Sequence, residues 1–160
     1  MLTRALAKGM LPLVCAWAKR HERMILRAGR PLDVEELELA RRVGVQHPEF
    51  VRTLMVSSIP PRLPLMLRSV AARLSWGPAA TAGMALGYGI FIRADQACSR
   101  SLLLHELVHT AQYERLGFRP FLEQYLHECL TAGYPLGALE SEAQRMACES
   151  PTQSPRRIES

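Results

Sequence analysis

The feature that most constrains this chain is a long helix-forming run whose centre reads His105-Glu-Leu-Val-His109. No proline or glycine interrupts the run before Gly117, and Ser99 or Ser101 can cap its start. Because residues four positions apart lie on one face of an α-helix, the two imidazoles point in the same direction. The sequence therefore predicts a helix over about 100–116 that presents two nitrogen ligands side by side.

Two histidines at this spacing, with a glutamate after the first, form the H-E-x-x-H pattern of zinc-dependent hydrolases. His105 and His109 offer two of the ligands that a tetrahedral zinc ion needs. Glu106 stands where a general base can take a proton from a zinc-bound water. The pattern predicts a hydrolase, most of all a peptidase, that holds one Zn²⁺ and acts on a peptide or protein.

A catalytic zinc site takes a third protein ligand and keeps its fourth position open. Gln112 and Arg115 stand where the metzincin pattern has glycine and histidine, so that class is excluded. The downstream candidates are Glu114, Glu123, His127, Glu128, Glu140 and Glu142. The segment 139–143 is the best choice, because it follows a turn-rich stretch and opens a further helix. Glutamates two apart differ by about 200° around a helix, so Glu140 and Glu142 are not expected to reach one ion together.

The helical motif followed by the segment Glu140-Ser-Glu-Ala143 resembles the gluzincin group of zinc peptidases, in which a second helix supplies a glutamate. The stretch His105-Glu-Leu-Val-His-Thr-Ala-Gln112 is also similar to bacterial zincin-like domains that carry H-E-L-x-H-x-x-Q. The resemblance covers about residues 85–148. It implies that Glu140 is the third zinc ligand, with Glu142 as the alternative.

Further residues are expected to complete the site. Gln144 stands where gluzincins have aspartate or asparagine, so the carboxylate that orients the site is missing or comes from elsewhere. Tyrosine or histidine often stabilises the charge that develops on a substrate carbonyl oxygen. The candidates are Tyr88, Tyr113, Tyr125, His127 and Tyr134. The strand predicted at about 84–93 is either an edge strand that pairs with an extended substrate or a core strand whose glycines serve packing.

The predicted fold class is α+β, a small and mostly helical zincin-like domain with a short β-sheet whose last strand precedes the metal-binding helix. One domain is expected over residues 1–149, followed by a disordered tail at 150–160. The other expected elements are a basic helix at 2–28, a helix at 34–43 capped by Asp33, a strand at 50–56, an extended loop at 59–64, a short helix at 65–74, a turn-rich link at 75–83 and a helix at 118–130.

The charge of the chain is +5 and is concentrated near its start, where seven basic residues accompany the single acid Glu22. This pattern predicts a solvated face of the helix 2–28, with a weak contact to an anionic membrane as the alternative. Nucleic acid is not an expected partner, because no recognition module is present. No glycine-rich phosphate loop supports a nucleotide enzyme.

The four cysteines form no C-x-x-C pair and are expected to be reduced thiols of a cytoplasmic protein. Export through an N-terminal signal ending near Ala16-Trp17-Ala18 is the alternative location. Two other functions compete with the peptidase. One is a catalytically silent zincin-like binding module, and the other is a basic membrane- or nucleic-acid-associated protein whose H-E-x-x-H is accidental.

Overall fold

The computed structural model describes residues 2–59 and 81–149, which form five α-helices and a four-stranded sheet. The helices are α1 (Leu2–Ala28), α2 (Val34–Arg42), α3 (Arg100–Leu116), α4 (Phe118–Thr131) and α5 (Ala138–Glu149). The strands are β1 (Arg30–Pro31), β2 (Arg52–Val56), β3 (Gly83–Leu86) and β4 (Gly89–Arg93). This architecture confirms the predicted α+β, mostly helical class. The elements predicted between residues 60 and 80, and the tail predicted at 150–160, lie outside the described residues.

Helix α1 has the predicted bounds and packs against α4 and the sheet. Its inner face buries Leu11, Trp17, Ala18 and Ile25, which are spaced to form one stripe of a helix. Its opposite face carries exposed arginines, among them Arg20. None of the described helices is both long and apolar enough to cross a membrane.

Helix α2 begins where the sequence places its cap. The Asp33 carboxylate accepts the backbone N–H of Glu36, and the Glu36 carboxylate accepts the backbone N–H of Asp33 in return. The Glu36 carboxylate also accepts two hydrogen bonds of 2.7 Å from the Arg30 guanidinium. This bidentate pair ties β1 to the start of α2.

The sheet has the strand order β1-β2-β4-β3. Strands β2 and β4 are parallel, whereas β1 pairs with β2 and β3 pairs with β4 in antiparallel fashion. Alternate side chains of β4 enter two different cores. Phe91 packs with residues of α1 and α4, and Ile90 and Ile92 pack with residues of α2, α3 and α5. The sheet therefore lies between two helical layers.

The segment 84–93, expected to be one strand, folds as the hairpin β3–β4. Gly87 lies in the turn with a φ of +65°, a conformation that favours glycine. A side chain at Gly87 would also overlap the Glu22 carboxylate, which accepts the backbone N–H of Tyr88 at 3.2 Å. The reversal leaves β3 at the edge of the described sheet, against α3.

Candidate metal centre

Helix α3 holds the two histidines of the motif in the orientation that the sequence predicts. The Ser99 hydroxyl accepts the backbone N–H of Leu102 at the start of the helix, and Gly117 ends it with a φ of +88°. The Nε2 atoms of His105 and His109 are 3.1 Å apart. Both rings therefore point into one space beside the helix.

The third donor comes from the first turn of α5. Glu140 Oε2 lies 3.2 Å from His105 Nε2, and Glu140 Oε1 lies 3.5 Å from His109 Nε2. The ligand atoms of these three residues all lie within 4.8 Å of one another. Among the described residues, no other set of three or more His, Cys, Asp and Glu side chains is arranged to hold a metal ion.

Glu142, the alternative third ligand, points elsewhere. Its carboxylate accepts two hydrogen bonds of 2.9 Å from Arg115 and one of 3.0 Å from Gln112. The separation of Glu140 and Glu142 follows from their spacing, because two steps along a helix reverse the direction of a side chain. The other predicted candidates, Glu114, Glu123, His127 and Glu128, also lie outside the group.

The three donors fit a small divalent cation. Ligands about 2.0–2.1 Å from a tetrahedral ion are about 3.3 Å from one another. The two nitrogens are 3.1 Å apart and Glu140 Oε2 lies 3.2 Å from His105 Nε2, and with one oxygen taken from Glu140 all three donors lie within 4.8 Å of one another. Glu140 Oε2 is buried and accepts no hydrogen bond of acceptable geometry. A cation would satisfy this oxygen together with the two facing nitrogens.

Gln112 fixes the ring of His109. Its Nε2 donates to the Leu139 carbonyl oxygen and to Glu142, each at 3.0 Å, so its Oε1 faces His109 and accepts the Nδ1–H at 2.8 Å. A proton on Nδ1 leaves a lone pair on the Nε2 atom that faces Glu140. In the sequence, Gln112 served to exclude the metzincin pattern and to mark the resemblance to H-E-L-x-H-x-x-Q domains, and its contact with His109 was not predicted. Its spacing of three residues from His109, one turn away on the same face, is the signal that was missed.

Gln144, where the orienting carboxylate was sought, is exposed. Tyr125 instead orients Glu140, because its hydroxyl donates to Glu140 Oε1 at 2.5 Å. In the metal-free protein burial tends to raise the pKa of Glu140, but hydrogen bonds from protonated ring nitrogens of His105 and His109 and from the Tyr125 hydroxyl together lower it. Glu140 is therefore held as a carboxylate, with one oxygen fixed by Tyr125.

Glu106 projects from α3 toward the edge strand and is buried. The backbone N–H of Ala85 faces its carboxylate. A Cβ at Gly83 would lie 2.5 Å from Glu106 Oε1, so the absence of a side chain there makes room for the carboxyl group. Burial raises the pKa of Glu106 and the Glu140 carboxylate raises it further, while His109 and His105 lower it in part.

Of the five residues predicted to stabilise an oxyanion, Tyr134 lies in the same cleft as His105 and Glu106 and makes no hydrogen bond to another described residue. Burial and the nearby Glu140 and Glu106 carboxylates raise the pKa of Tyr134 to about 12, so its hydroxyl keeps its proton. Tyr113 and Tyr125 also line the cavity beside these residues, but the other four candidates have different contacts. Tyr88 donates to Glu114, Tyr125 donates to Glu140, Tyr113 is buried among aromatic rings, and His127 is exposed.

Comparisons of the chain with protein-family models, with curated proteins and with solved structures found no match. The resemblance to gluzincins therefore stays a prediction that rests on the motif residues.

Proposed function

We propose that the protein is a zinc-dependent hydrolase that cleaves peptide bonds. The observation that carries this proposal is the group of His105, His109 and Glu140, with a buried oxygen that lacks a hydrogen-bond partner, beside the buried Glu106. Bound zinc would polarise the substrate carbonyl and lower the pKa of water at the site. A peptide or protein is the expected substrate, and nucleic acid is not.

Each residue of the site has a role in this mechanism. His105, His109 and Glu140 would hold the ion, and Gln112 and Tyr125 keep two of these ligands in position. Glu106, which is buried beside the three donors, would accept a proton from the attacking water and pass it to the nitrogen of the leaving amine. The Tyr134 hydroxyl donates a hydrogen bond to the carbonyl oxygen as its negative charge grows.

The edge of β3 suits an extended peptide. Arg93 N–H donates to the carbonyl of Ala82, and in an antiparallel pair every second residue bonds to the neighbouring strand. The peptide groups of Gly83 and Ala85 therefore face away from β4, toward the cleft. Since the N–H of Ala85 faces the Glu106 carboxylate, the N–H and carbonyl of Gly83 and the carbonyl of Ala85 are the groups with which a substrate strand would pair.

We also place the protein in the cytoplasm. Its four cysteines, Cys15, Cys98, Cys129 and Cys148, are free thiols, as is usual in a reducing compartment.

The first experiment compares the two glutamates of α5. Glu140→Gln should abolish stoichiometric zinc binding, because an amide is a poor ligand for zinc, whereas Glu142→Gln should keep it. Zinc content after dialysis, measured by atomic emission, tests the assignment. Loss of zinc from Glu142→Gln alone would reverse it. If the wild-type protein holds no zinc, the H-E-x-x-H pattern is accidental and the zinc-dependent function is wrong.

The second experiment separates metal binding from chemistry. Glu106→Gln should retain zinc and lose hydrolysis of a quenched fluorescent peptide library by a factor of at least about 100. Glu38→Gln, an exposed glutamate on α2, is the matched control and should be fully active. Full activity of Glu106→Gln contradicts the proposed base. Stoichiometric zinc without turnover in the wild type would favour the silent binding module.

A further inference from the structure

The outward face of α1 carries positive charge that no acidic side chain balances. Arg20, Arg23 and Arg27, here called the α1 arginines, are exposed and lie within about 60° of one another around the helix. None of the three forms an ion pair with a described residue. Glu22, the one acidic residue of α1, is buried, and its carboxylate accepts a hydrogen bond of 2.8 Å from Lys19 instead.

Arginines elsewhere in the described part of the chain mostly lie beside a carboxylate. Six of them form ion pairs of 2.7–3.9 Å, namely Arg30, Arg42, Arg93, Arg100, Arg115 and Arg145. The α1 arginines are instead three and four positions apart, a spacing at which like charges repel and destabilise a helix. An anionic partner would convert this repulsion into attraction.

Exposed apolar side chains lie on both sides of the α1 arginines. Leu13 and Met24 are 37% and 42% exposed on one side, and Leu26 is 38% exposed on the other. From Leu13 to Arg27 this face extends about 21 Å along the helix. The face therefore offers guanidinium groups and aliphatic side chains in one line.

This combination suits the surface of a bilayer that contains anionic phospholipids. The planar guanidinium group binds phosphate through two hydrogen bonds, and aliphatic side chains enter the boundary between headgroups and acyl chains. Nucleic acid also offers phosphates, but it has no hydrocarbon to receive leucine and methionine. Trp17, the one aromatic residue of α1 besides histidine, is buried and cannot stack on a base.

We propose that the outward face of α1 binds the surface of a bilayer that contains anionic phospholipids. The α1 arginines contact lipid phosphates, while Leu13 and Met24 reach the level where the acyl chains begin. The opposite face of α1 stays packed on α4 and the sheet, and its residues line the cavity beside the metal-binding group. Binding of the bilayer therefore uses no residue of the metal centre, and this inference does not rest on the proposed function.

Sedimentation with sucrose-loaded vesicles tests the proposal. The probes are phosphatidylcholine vesicles with about 30% phosphatidylglycerol and vesicles of phosphatidylcholine alone. Each arginine at an anionic surface contributes about fivefold in affinity, so the wild type should bind the anionic vesicles about 100-fold more tightly in 0.1 M salt. This preference should fall by at least about 10-fold in 0.5 M salt, because the charges are screened.

Two triple variants with the same loss of charge locate the contact. Replacement of all three α1 arginines by glutamine should weaken binding to anionic vesicles by about 100-fold. The matched control replaces three exposed arginines of other helices, through Arg41→Gln, Arg42→Gln and Arg145→Gln. The control should bind within about threefold of the wild type, because its arginines lie outside the proposed contact. Circular dichroism verifies that both variants are folded.

A further pair of variants distinguishes a bilayer from nucleic acid. Leu13→Ser combined with Met24→Ser should weaken vesicle binding by about 10-fold, because less apolar surface enters the bilayer. Val34→Ser combined with Leu136→Ser is the matched control, since both side chains are exposed but lie outside α1. This control should bind vesicles as the wild type does.

Three results would overturn the proposal. The first is equal binding of the wild type to anionic and neutral vesicles, and the second is equal affinity of the two triple variants for anionic vesicles. The third is binding of an oligonucleotide through the α1 arginines without binding of vesicles, which would assign this face to nucleic acid. Zinc content and hydrolysis enter none of these measurements, so failure of the proposed function would leave this inference unaffected.

Discussion

Replacement of Gln112 by methionine removes one side chain that connects the metal-binding helix to α5. Gln112 is fully buried and makes three hydrogen bonds, to His109 Nδ1, to the Leu139 carbonyl and to Glu142. Methionine has a similar length and volume but can replace none of them. Gln112→Met therefore changes hydrogen bonding while packing stays nearly the same.

The expected cost can be worked out bond by bond. The buried His109 Nδ1–H loses its acceptor, which costs about 1–3 kcal/mol. The other two lost bonds are those from the Gln112 amide to the Leu139 carbonyl and to Glu142, which keeps two bonds from Arg115. Each of these two losses costs about 0.5–1 kcal/mol. In the metal-free protein, the three lost hydrogen bonds together should lower the free energy of unfolding by about 3 kcal/mol. Zinc affinity should fall by a further 10- to 100-fold, about 1.4–2.7 kcal/mol, because the His109 ring and its proton are no longer fixed.

Two measurements separate these effects. Urea denaturation without zinc gives the stability term, and competition with a chromophoric chelator gives the zinc dissociation constant. The matched control is Gln124→Met, since Gln124 is exposed and makes one hydrogen bond, to Glu128. It should stay within about 0.5 kcal/mol of the wild type and bind zinc equally well. If Gln112→Met binds zinc within twofold of the wild type, the proposed role of Gln112 in orienting His109 is wrong.

Two other predictions follow from residues near the site and at the α2 cap. Gly83→Ala should reduce hydrolysis by about 100-fold at unchanged zinc content, because its Cβ would displace the Glu106 carboxyl group; steady-state kinetics test this. Glu36→Gln should lower stability by about 1 kcal/mol at pH 7 but not near pH 2. The hydrogen bond from Arg30 lowers the pKa of Glu36 below its ordinary value of 4.5. The carboxylate therefore stabilises the fold at pH values above 4.5, and the stabilisation is lost as the pH falls through the lower pKa of the folded state. Urea denaturation at several pH values measures this change in stability.

Each of these predictions has a control or a contrary outcome. Gly9→Ala, where a Cβ would meet no atom within 4 Å, should leave hydrolysis unchanged. A fully active Gly83→Ala variant would show that Glu106 does not need its present position. A stability difference for Glu36→Gln that is the same at both pH values would mean that the charge of Glu36 contributes nothing, since glutamine can keep the capping contact with Asp33.

Local patterns predicted much of this structure. The 3.6-residue periodicity, the caps at Ser99 and Asp33 and the ending at Gly117 are properties of short segments, and the corresponding helices have the predicted positions. The hairpin was not predicted, because Gly87 and Gly89 within a run of strand-forming residues are also compatible with one strand. In the folded protein the turn also contacts Glu22 on a distant helix, which no window of the sequence contains.

In the candidate site, too, local patterns predicted some features and distant contacts determined the others. The neighbouring positions of His105 and His109 follow from helical geometry alone. Whether Glu140 or Glu142 lies near the two histidines depends on the angle at which α5 packs on α3. The sequence was compatible with either glutamate. The cleft position of Tyr134 depends on the packing of several elements, so sequence patterns did not distinguish Tyr134 from the other tyrosines.

The packing of α1 against α4 also has a consequence for the order in which the chain folds. Ala28 and Phe118, the nearest ends of these helices, are separated by 89 intervening residues, whereas His109 and Glu140 are separated by 30. Closing the longer loop costs about 1 kcal/mol more chain entropy. We expect α3 and α5 to meet before α1 docks. The three metal-binding side chains would then come together before the packing of α1 on α4 is complete.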